Sequence, residues 1–586
     1  MDRGVSLSSR SEARSSASRR EEADIATHDS AGGRGARAAA GPVDPDVVVV
    51  GGGHNGLVCA AYLVRAGLSV RVVEARATVG GCAGSDAEAG ARFNLCNCDH
   101  SLLRTLPLID ELALADHGLR YLELDPGQVA LGWDAPGPLP LFRDVERTIE
   151  ALAVHFPHQV DGYRRYAADA VPMARLVLDL AAEVPGTGPV LGRAARSGGA
   201  AARLLRWSRR SVGDVLRSYF DDDGLLGPAM AGGPAVWGLA SDTPGTGLGA
   251  LAFAFKHVAP VGRPEGGSGA LTEALAGRIR AGGGRIDTSS RVTGVHCDGN
   301  RVRAVTVVPT DRAAPSGPGA EGGEPVTITA SAVVVACDPR RVLVDFLRDP
   351  PPAAASMIDR WRVRPETAGY ESKIDAVIDR LPVWRPRPGD DRLAAVGFDD
   401  RLSPSTIVAP GLDDIDRSHR QMVDGRVGAR PMLFVNVPSV LDPSVAPPGR
   451  HVLSIEVLFT PYELAGGWAG SGEPDRWLAL AAQLFEPGLL ESIEYRRVMS
   501  PPVYERELGL TRGHAPSYGG GPVAALAGRD RELSRYRTSV PGLFLTGAAT
   551  YPGAGVWGAS GRNAAGVVLS HLRRRDGRAL GGLTCG

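Results

Sequence analysis

The chain has 586 residues, and its 65 Lys and Arg against 66 Asp and Glu give a formal net charge of −1. This length allows a large hydrophobic core and several domains. The balanced charge excludes the strongly basic surface expected of a nucleic-acid-binding protein. The seven cysteines are irregularly spaced and include no CxxC pair, so neither a zinc ribbon nor a thioredoxin-type redox site has its ligand spacing. No metal site is expected.

Residues 1–43 are rich in Ser, Arg, Ala and Gly and have almost no large apolar side chains. Such a segment cannot bury enough surface to offset the entropy of ordering it, so we expect a disordered tail. It lacks the continuous apolar stretch of a secretory signal. No uncharged apolar run in the chain reaches the ~20 residues that span a bilayer. These features, and the absence of a disulfide framework, predict a cytoplasmic protein.

A strand, a glycine-rich turn, a helix and a second strand open the folded part of the chain. Four consecutive valines at 47–50 form the first predicted strand, and the turn GGGHNG follows at 51–56. A helix is predicted over 57–66 and a second strand over 68–74. This βαβ unit is the context in which a Gly-x-Gly-x-x-Gly motif binds a dinucleotide.

Each glycine of the motif has a physical role. Gly51 permits the tight turn, Gly53 lets a pyrophosphate approach the backbone, and Gly56 allows close packing of the helix on the strand. The helix N-terminus offers free N–H groups and a positive dipole to the phosphates. Glu74, at the end of the second strand, can accept hydrogen bonds from a ribose diol, and its charge would repel a 2′-phosphate. The motif therefore predicts FAD or NAD rather than NADP.

Two further segments decide between FAD and NAD. Residues 74–81 (EARATVGG) resemble the E-x-R-x-x-x-G-G extension of glutathione-reductase-like flavoproteins of the amine oxidase and carotenoid desaturase type. Residues 542–565 (GLFLTGAATYPGAGVWGASGRNAA) resemble the closing FAD motif of the same proteins. The resemblance implies one FAD held in a single discontinuous domain. The cofactor contacts that the motifs and the resemblance imply are Gly51, Gly53, Asn55, Gly56, Glu74, Ala75, Arg76, Gly80, Gly81, Cys82, Val292, Gly547, Ala548, Val556 and Trp557.

The chain departs from the family pattern at two places. Related flavoproteins often carry Gly-Asp in the closing motif, where this chain has Gly547-Ala548, so a ribitol contact at that position is less expected. The residue after Gly80-Gly81 is often Arg in relatives and is Cys82 here. A covalent flavin thioether at Cys82 is an alternative to a simple contact.

Other stretches narrow the resemblance to phytoene-desaturase-like oxidoreductases, over roughly 45–575; they are 266–275, 372–382, 438–454 and 504–513. The implied fold class is α/β, with a discontinuous Rossmann-like FAD domain of the glutathione-reductase type, an inserted mixed substrate domain and a helical subdomain. The predicted divisions are a disordered tail (1–43), FAD-binding segments (44–130, 255–345 and 501–575), a helical or substrate subdomain (131–254), a substrate-binding domain (346–500) and a second tail (576–586).

The resemblance implies an FAD-dependent oxidoreductase that dehydrogenates or desaturates an apolar or amphipathic small molecule, carotenoid-like or a specialised metabolite, by hydride transfer to flavin. No second strand–GxGxxG–helix unit is present, so we expect oxygen, a quinone or another diffusing molecule to accept the electrons. The alternatives on the same fold are an amine or alcohol oxidase, an FAD-requiring isomerase and a flavin-free prenyl-binding escort module. The oligomeric state stays open.

Lys373, His257 and Trp557 are the candidate catalytic residues. Lys373 stands out because Lys occurs twice in the chain whereas Arg occurs 63 times, and Trp557 lies in the closing motif. A structural role is the alternative for each. Further candidates for a base or for an aromatic cavity wall are His100, His514, Trp237 and Tyr551. The Arg-rich helices predicted over 192–217 could lie on an anionic membrane surface, or form a solvated helix face.

Overall fold

The computed structural model describes residues 44–96, 98–310, 323–399, 404–519 and 521–577. The tail predicted at 1–43 and all but the first two residues of the tail predicted at 576–586 lie outside these ranges. The described residues belong to one unit that begins at Asp44. Its division into the segments given above stays a prediction.

The described chain contains both strands and helices. The strands are β1 (Val47–Val50), β2 (Val70–Val73), β3 (Ser85–Glu88), β4 (Ala91–Asn94), β5 (Tyr121–Leu124), β6 (Gln128–Gly132), β7 (Leu139–Leu141), β8 (Val261–Pro264), β9 (Arg285–Asp287), β10 (Ser290–Cys297), β11 (Val302–Pro309), β12 (Val326–Thr329), β13 (Ala332–Val335), β14 (Leu347–Arg348), β15 (Glu371–Ile378), β16 (Thr406–Ala409), β17 (Leu433–Asn436), β18 (His451–Leu458), β19 (Ile493–Met499) and β20 (Leu543–Leu545). The helices are α1 (His54–Arg65), α2 (Leu108–Glu111), α3 (Val145–His155), α4 (Val160–Ala181), α5 (Thr187–Arg196), α6 (Gly199–Trp207), α7 (Val212–Arg217), α8 (Asp223–Ala231), α9 (Ala252–Val258), α10 (Gly269–Ala281), α11 (Ala355–Arg362), α12 (Asp390–Ala395), α13 (Leu412–Val423), α14 (Glu473–Ala482), α15 (Pro501–Leu508), α16 (Gly521–Ala527), α17 (Arg531–Arg535) and α18 (Ala559–Asp576).

A parallel five-stranded sheet, in the order β20-β13-β1-β2-β9, forms the first layer. Its central strand β1 pairs with β13 on one side and with β2 on the other, and all four of its valines are buried. Continuous apolar strands of this kind belong in a sheet that is covered on both faces. Helices α1 and α18 pack against each other beside this sheet. The βαβ unit and the helix after the last strand, both expected from the sequence, are confirmed.

A second sheet of seven strands, β19-β15-β18-β17-β16-β6-β7, faces the site described below. The two faces of strand β15 differ in character. On one face, Ile374, Ala376 and Ile378 pack into one hydrophobic core. The alternate residues Glu371 and Lys373 lie on the opposite face and are buried there. The period of two that the sequence shows at this strand therefore separates an apolar face from a polar one.

Helices α3 to α9 form a predominantly helical region, as the sequence indicates for 145–220. Its core contains the aromatic side chains Tyr163, Tyr166 and Phe220, whose rings lie in contact with one another. None of the helices in the described ranges has the length and apolar character needed to cross a membrane.

Candidate active site

A cavity of about 710 Å³ opens at the carboxyl ends of the parallel strands. Gly51 follows β1, Glu74 follows β2, Ala336 follows β13 and Gly547 lies close behind β20, and all four line the cavity. In open α/β sheets ligands bind at this edge, because loops and helix N-termini converge there. The volume is that of a site for a small molecule or cofactor.

All the residues predicted to contact the cofactor line this cavity, except Gly80. Gly80 instead lies behind the first turn, where its amide donates to the Gly52 carbonyl at 2.8 Å and its backbone forms a bridge with Gly53. The segments 44–83 and 542–565, which are far apart in sequence, thus share one cavity. That each of these residues contacts a cofactor stays a proposal.

The three motif glycines occupy three different environments. Gly51 has a φ of +100°, which L side chains rarely adopt. A Cβ at Gly56 would lie 2.2 Å from the Gly51 carbonyl oxygen, so only glycine lets the first turn of α1 pack this closely. A Cβ at Gly53 would meet no atom within 4 Å, so the backbone there is open to the cavity. These environments match the roles expected from the motif.

The Glu74 carboxylate is held by backbone amides at the rim of the cavity. One oxygen, Oε2, accepts from the Gly52 amide at 2.7 Å, and Oε1 accepts from the Arg76 amide at 2.8 Å. Burial raises the pKa of Glu74, and these two hydrogen bonds act against that shift. Each oxygen keeps a second lone pair, so the carboxylate can still accept from a ribose diol.

The closing turn after β20 is fixed by Ser560. Its hydroxyl accepts from the Gly547 amide at 3.0 Å and lies 2.8 Å from the Thr546 hydroxyl. In the same segment the indole N–H of Trp557 is buried and has no hydrogen-bond partner among the described residues. Because Trp557 lines the cavity, a bound group with an acceptor atom would satisfy that N–H.

Lys373 lies on the cavity wall in a buried ion pair. Its ammonium donates to Asp375 Oδ1 at 2.7 Å and to the Asn94 carbonyl. Arg497 donates to the other carboxylate oxygen of Asp375, with both distances 3.1 Å. The prediction that Lys373 lies at the site is consistent with this position, and the ion pair fixes where its ammonium points.

Two glutamates that the sequence analysis did not single out face the cavity beside Lys373. Glu371 and Glu456 lie on the neighbouring strands β15 and β18, where Glu456 is opposite Lys373. Burial raises the pKa of Glu371 well above its usual range, and the nearby Glu456 charge adds to the shift. Glu371 is therefore the member of the two that keeps its proton more strongly, and in its protonated form it donates a hydrogen bond to Glu456. We call these two residues the carboxyl pair.

Lys256, the other lysine of the chain, lines the same cavity. Its ammonium makes no hydrogen bond or ion pair with any described residue, although the charge of Asp99 acts on it. Burial lowers the pKa of its ammonium. The rarity of lysine, which marks Lys373 in the sequence, applies equally to Lys256.

The structure places His257 outside the cavity, in the helical region. The Tyr163 hydroxyl donates to His257 Nε2 at 2.8 Å, and His257 Nδ1 donates to the Phe142 carbonyl at 2.9 Å. Burial lowers the pKa of His257, so the ring is neutral and both of its nitrogens are engaged. This position favours the structural role. His100 and His514 also lie off the cavity, whereas Trp237 and Tyr551 line it.

Comparison with known proteins defines the class. The family model described as flavin containing amine oxidoreductase matches residues 56–372, which is more than half of the chain. A rat protein named pyridine nucleotide-disulfide oxidoreductase domain-containing protein 2 is 28% identical, over 90% of this chain and 94% of its own. The lycopene-forming phytoene desaturase of Pantoea ananas is 25% identical, over 89% and 99%. Putrescine oxidase bound to putrescine shares the fold, with a TM-score of 0.55, 18% identity and coverage of 90% and 99%.

The chain belongs to the flavin containing amine oxidoreductase family, and it is an FAD-dependent oxidoreductase. The cavity residues fit FAD on three observations: the backbone at Gly53 is open, the Glu74 carboxylate keeps free lone pairs, and the Trp557 indole N–H lacks a partner. The fold class and the phytoene-desaturase-like resemblance predicted from the sequence are confirmed.

Proposed function

We propose that this enzyme dehydrogenates or desaturates an apolar or amphipathic small molecule. The observation that carries the proposal is the continuity of one cavity, from the glycine turn at 51–56 to a wall that combines Trp237 and Phe434 with the carboxyl pair. An apolar wall with a few polar groups is typical of a site that orients a mainly hydrocarbon substrate. The phytoene desaturase among its relatives acts, by its name, on such a molecule.

When bound, FAD supplies the capacity to accept a hydride from a substrate C–H bond. Loss of a hydride leaves a proton to be removed, and we propose that Glu456 takes it. Burial raises the pKa of Glu456 too, but the hydrogen bond from Glu371 and the Lys373 charge act against that shift, so Glu456 is the member of the carboxyl pair that ionises first. Lys373 is then a residue that positions this charge.

Lys256 supports an amphipathic substrate in particular. Its ammonium lines the cavity without an ion-pair partner among the described residues, so an acidic or strongly polar group on the substrate would be stabilised there. The carboxyl pair and Lys256 would then hold two different ends of the substrate. For the electron acceptor we propose oxygen, a quinone or another diffusing molecule.

The first experiment is an absorbance spectrum of the purified protein, followed by anaerobic titration with polyenes, amphipathic terpenoids and amines. We expect a flavin band near ~450 nm that bleaches with an apolar or amphipathic substrate. Bleaching by amines alone would favour an amine oxidase, and product formation without stable bleaching would favour an isomerase. A protein that stays colourless after addition of FAD would refute the proposed enzymatic function and favour the flavin-free escort module.

A variant tests the role of Glu456. Glu456→Gln removes the proton acceptor, so we expect the rate of flavin bleaching by substrate to fall ~100-fold, a typical loss for a general base. Glu150→Gln, at an exposed position on α3, is the matched control. A Glu456→Gln variant that binds flavin and reacts at the rate of the control would contradict the proposed role.

We also propose a peripheral contact of the helical region with anionic membranes. Helix α5 has no buried residue, Leu191 is 63% exposed, and Arg193 and Arg196 lie in the last turn. An exposed leucine followed by two arginines suits an anionic interface. We expect cosedimentation with phosphatidylglycerol vesicles that Leu191→Ser weakens; equal recovery with phosphatidylcholine vesicles, or none with either, would refute the contact.

A further inference from the structure

Two thiols meet at the wall of the cavity, although no short-range cysteine motif predicts it. Cys82 follows the glycine pair of the first FAD motif, and Cys96 follows strand β4. The Leu95 amide donates to the Gly84 carbonyl at 3.1 Å, so the β3–β4 hairpin stays paired toward its open end. Cys82 and Cys96 lie side by side across that end, with their thiols within hydrogen-bonding reach of each other, and both line the cavity. We call them the thiol pair.

The two members of the thiol pair lie in different electrostatic environments. The hydrogen bond from Cys96 lowers the pKa of Cys82, and the Arg76 guanidinium lowers it further. The pKa of Cys96 is raised well above its usual range by the same hydrogen bond, by burial and by the charges of Glu371 and Glu456. Cys82 is therefore the thiol that ionises first, and Cys96 is the one that keeps its proton.

The other cysteines of the described chain lack this combination. Cys59, Cys98 and Cys297 are buried, and burial raises the pKa of each thiol. Cys98 and Cys337 also line the cavity, but burial raises the pKa of each of these two thiols to about 12. Reactive cysteines combine access with thiolate character, whereas buried thiols of raised pKa are inert.

We propose that Cys82 and Cys96 form a reversible oxidation site in the cavity wall, at which hydrogen peroxide or a related hydroperoxide converts the two thiols to a disulfide. The charge of Arg76, in the FAD motif, acts on Cys82, and the charges of the carboxyl pair act on Cys96, so oxidation of the site changes the cavity wall next to both. A dithiol would reverse it.

The chemistry balances with peroxide as the sole oxidant. The Cys82 thiolate attacks one peroxide oxygen, the O–O bond breaks, and hydroxide leaves as Cys82 becomes a sulfenic acid. The hydroxide takes the proton of the Cys96 thiol and becomes water. The Cys96 thiolate then attacks the Cys82 sulfur, the S–S bond forms, and the S–O bond breaks to release a second hydroxide, which is protonated to water. The two sulfurs together lose two electrons, which peroxide gains.

The test uses the flavin-loaded protein and needs no substrate. The protein is treated with hydrogen peroxide, its remaining thiols are alkylated, and trypsin is used without reduction. Cleavage at arginine places Cys82 in the peptide 77–92 and Cys96 in the peptide 93–104. We expect these peptides to be linked, with a mass lower than their sum by two hydrogen atoms, and to separate when a dithiol is added.

Cysteine variants and alkylation rates identify which thiol is oxidised first and which one then forms the disulfide with it. Because 93–104 also contains Cys98, Cys98→Ser is the matched control and should keep the link, whereas Cys96→Ser should lose it and leave a sulfenic acid at Cys82 that dimedone traps. In the untreated protein we expect Cys82 to be alkylated ~10-fold faster than Cys337. Peptides 77–92 and 93–104 that stay unlinked, or a link that survives in Cys96→Ser, would overturn the proposal.

Discussion

Lys256 and Lys373 are the only two lysines of the chain, and both line the same cavity. Their electrostatic environments are opposite. Lys373 is paired with Asp375, and Arg497 completes the network. Lys256 is half-buried and has no ion-pair partner among the described residues, and burial lowers the pKa of its ammonium. Removing one member of a buried ion pair leaves the other charge uncompensated, whereas a charge that is already unpaired costs free energy where it stands.

Substitution by methionine should therefore have opposite effects at the two lysines. We expect Lys373→Met to lower the free energy of unfolding by about 3–5 kcal/mol, because it leaves Asp375 without its closest partner. Lys256→Met should raise it by about 1 kcal/mol at neutral pH, since the unpaired charge is removed. Because the folded-state pKa of Lys256 is lowered, this gain should shrink as the pH rises toward the pKa of lysine in the unfolded chain.

Urea denaturation of both variants at two pH values measures these free energies. A destabilised Lys256→Met protein would show that the ammonium has a stabilising partner in solution. A Lys373→Met protein as stable as the original would show that the buried ion pair contributes little.

The carboxyl pair links stability to pH. Glu371 has a folded-state pKa above that of an unfolded glutamate, so its contribution to stability is fully present below the unfolded pKa and is lost as the pH rises through the folded one. Glu371→Gln keeps a hydrogen-bond donor to Glu456 but cannot ionise. We expect the variant to match the original protein in acid and to exceed its stability in alkali, with the difference growing by at most about 1.4 kcal/mol per pH unit.

Unfolding free energies between pH ~5 and pH ~9 check this dependence. The exposed Glu150→Gln serves as the control and should reproduce the original pH dependence. Parallel curves for Glu371→Gln and the original protein would mean that Glu371 is already ionised throughout the range.

At the scale of the element, the turn into α1 contains one glycine that the fold requires and another that the cofactor site requires. The Gly56 position has no room for a Cβ, because the Gly51 carbonyl lies 2.2 Å away. The Gly53 position has room, and its φ of −66° and ψ of 162° are open to any residue. One glycine is thus needed by the packing of helix on strand, whereas the other faces the cavity.

Two alanine substitutions follow from this difference. Gly56→Ala should destabilise the protein by about 3 kcal/mol, because the helix must move away from β1. Gly53→Ala should change the free energy of unfolding of the flavin-free protein by less than about 0.5 kcal/mol while flavin content falls, because the methyl group occupies the space of a pyrophosphate. Thermal unfolding and flavin absorbance of the same preparations measure both. Full flavin content in Gly53→Ala would place the phosphates elsewhere.

At the scale of the whole molecule, segments from both ends of the described chain meet at the cavity. Glu74 and Cys82 come from the first motif, and Gly547 and Trp557 come from the last. A ligand that bridges these segments stabilises the folded state, because it binds that state and not the unfolded chain. The cofactor is therefore expected to act as a structural clamp as well as a reactant.

Removal of FAD should lower the melting temperature, and its return should restore it. At a free FAD concentration of about 100 times Kd, the free energy of unfolding is expected to rise by about 2.7 kcal/mol. Differential scanning calorimetry of the flavin-free protein at rising FAD concentrations measures it, with ADP as a control that should recover only part of the shift. A melting temperature independent of FAD would contradict a clamp between the two segments.

The sequence by itself determined the parts of this protein whose signals are local. Four valines, the glycine turn and Glu74 lie within 47–74, and their spacing predicted the βαβ unit, the dinucleotide and the carboxylate at the second strand end. The motif at 542–565 predicted the last strand and helix for the same reason. Hydrophobic periodicity and backbone requirements act over a few residues, so a single stretch of sequence contains them.

The tertiary structure decided which distant side chains share an environment. Glu371 and Glu456 became a carboxyl pair because β15 pairs with β18, and Cys82 met Cys96 through the hairpin of β3 and β4. His257 lies in the helical core, where it is hydrogen-bonded to Tyr163 and Phe142, and not at the cavity. Strand register and burial set the protonation and the partners of these groups, and both arise from contacts between segments that no local pattern specifies.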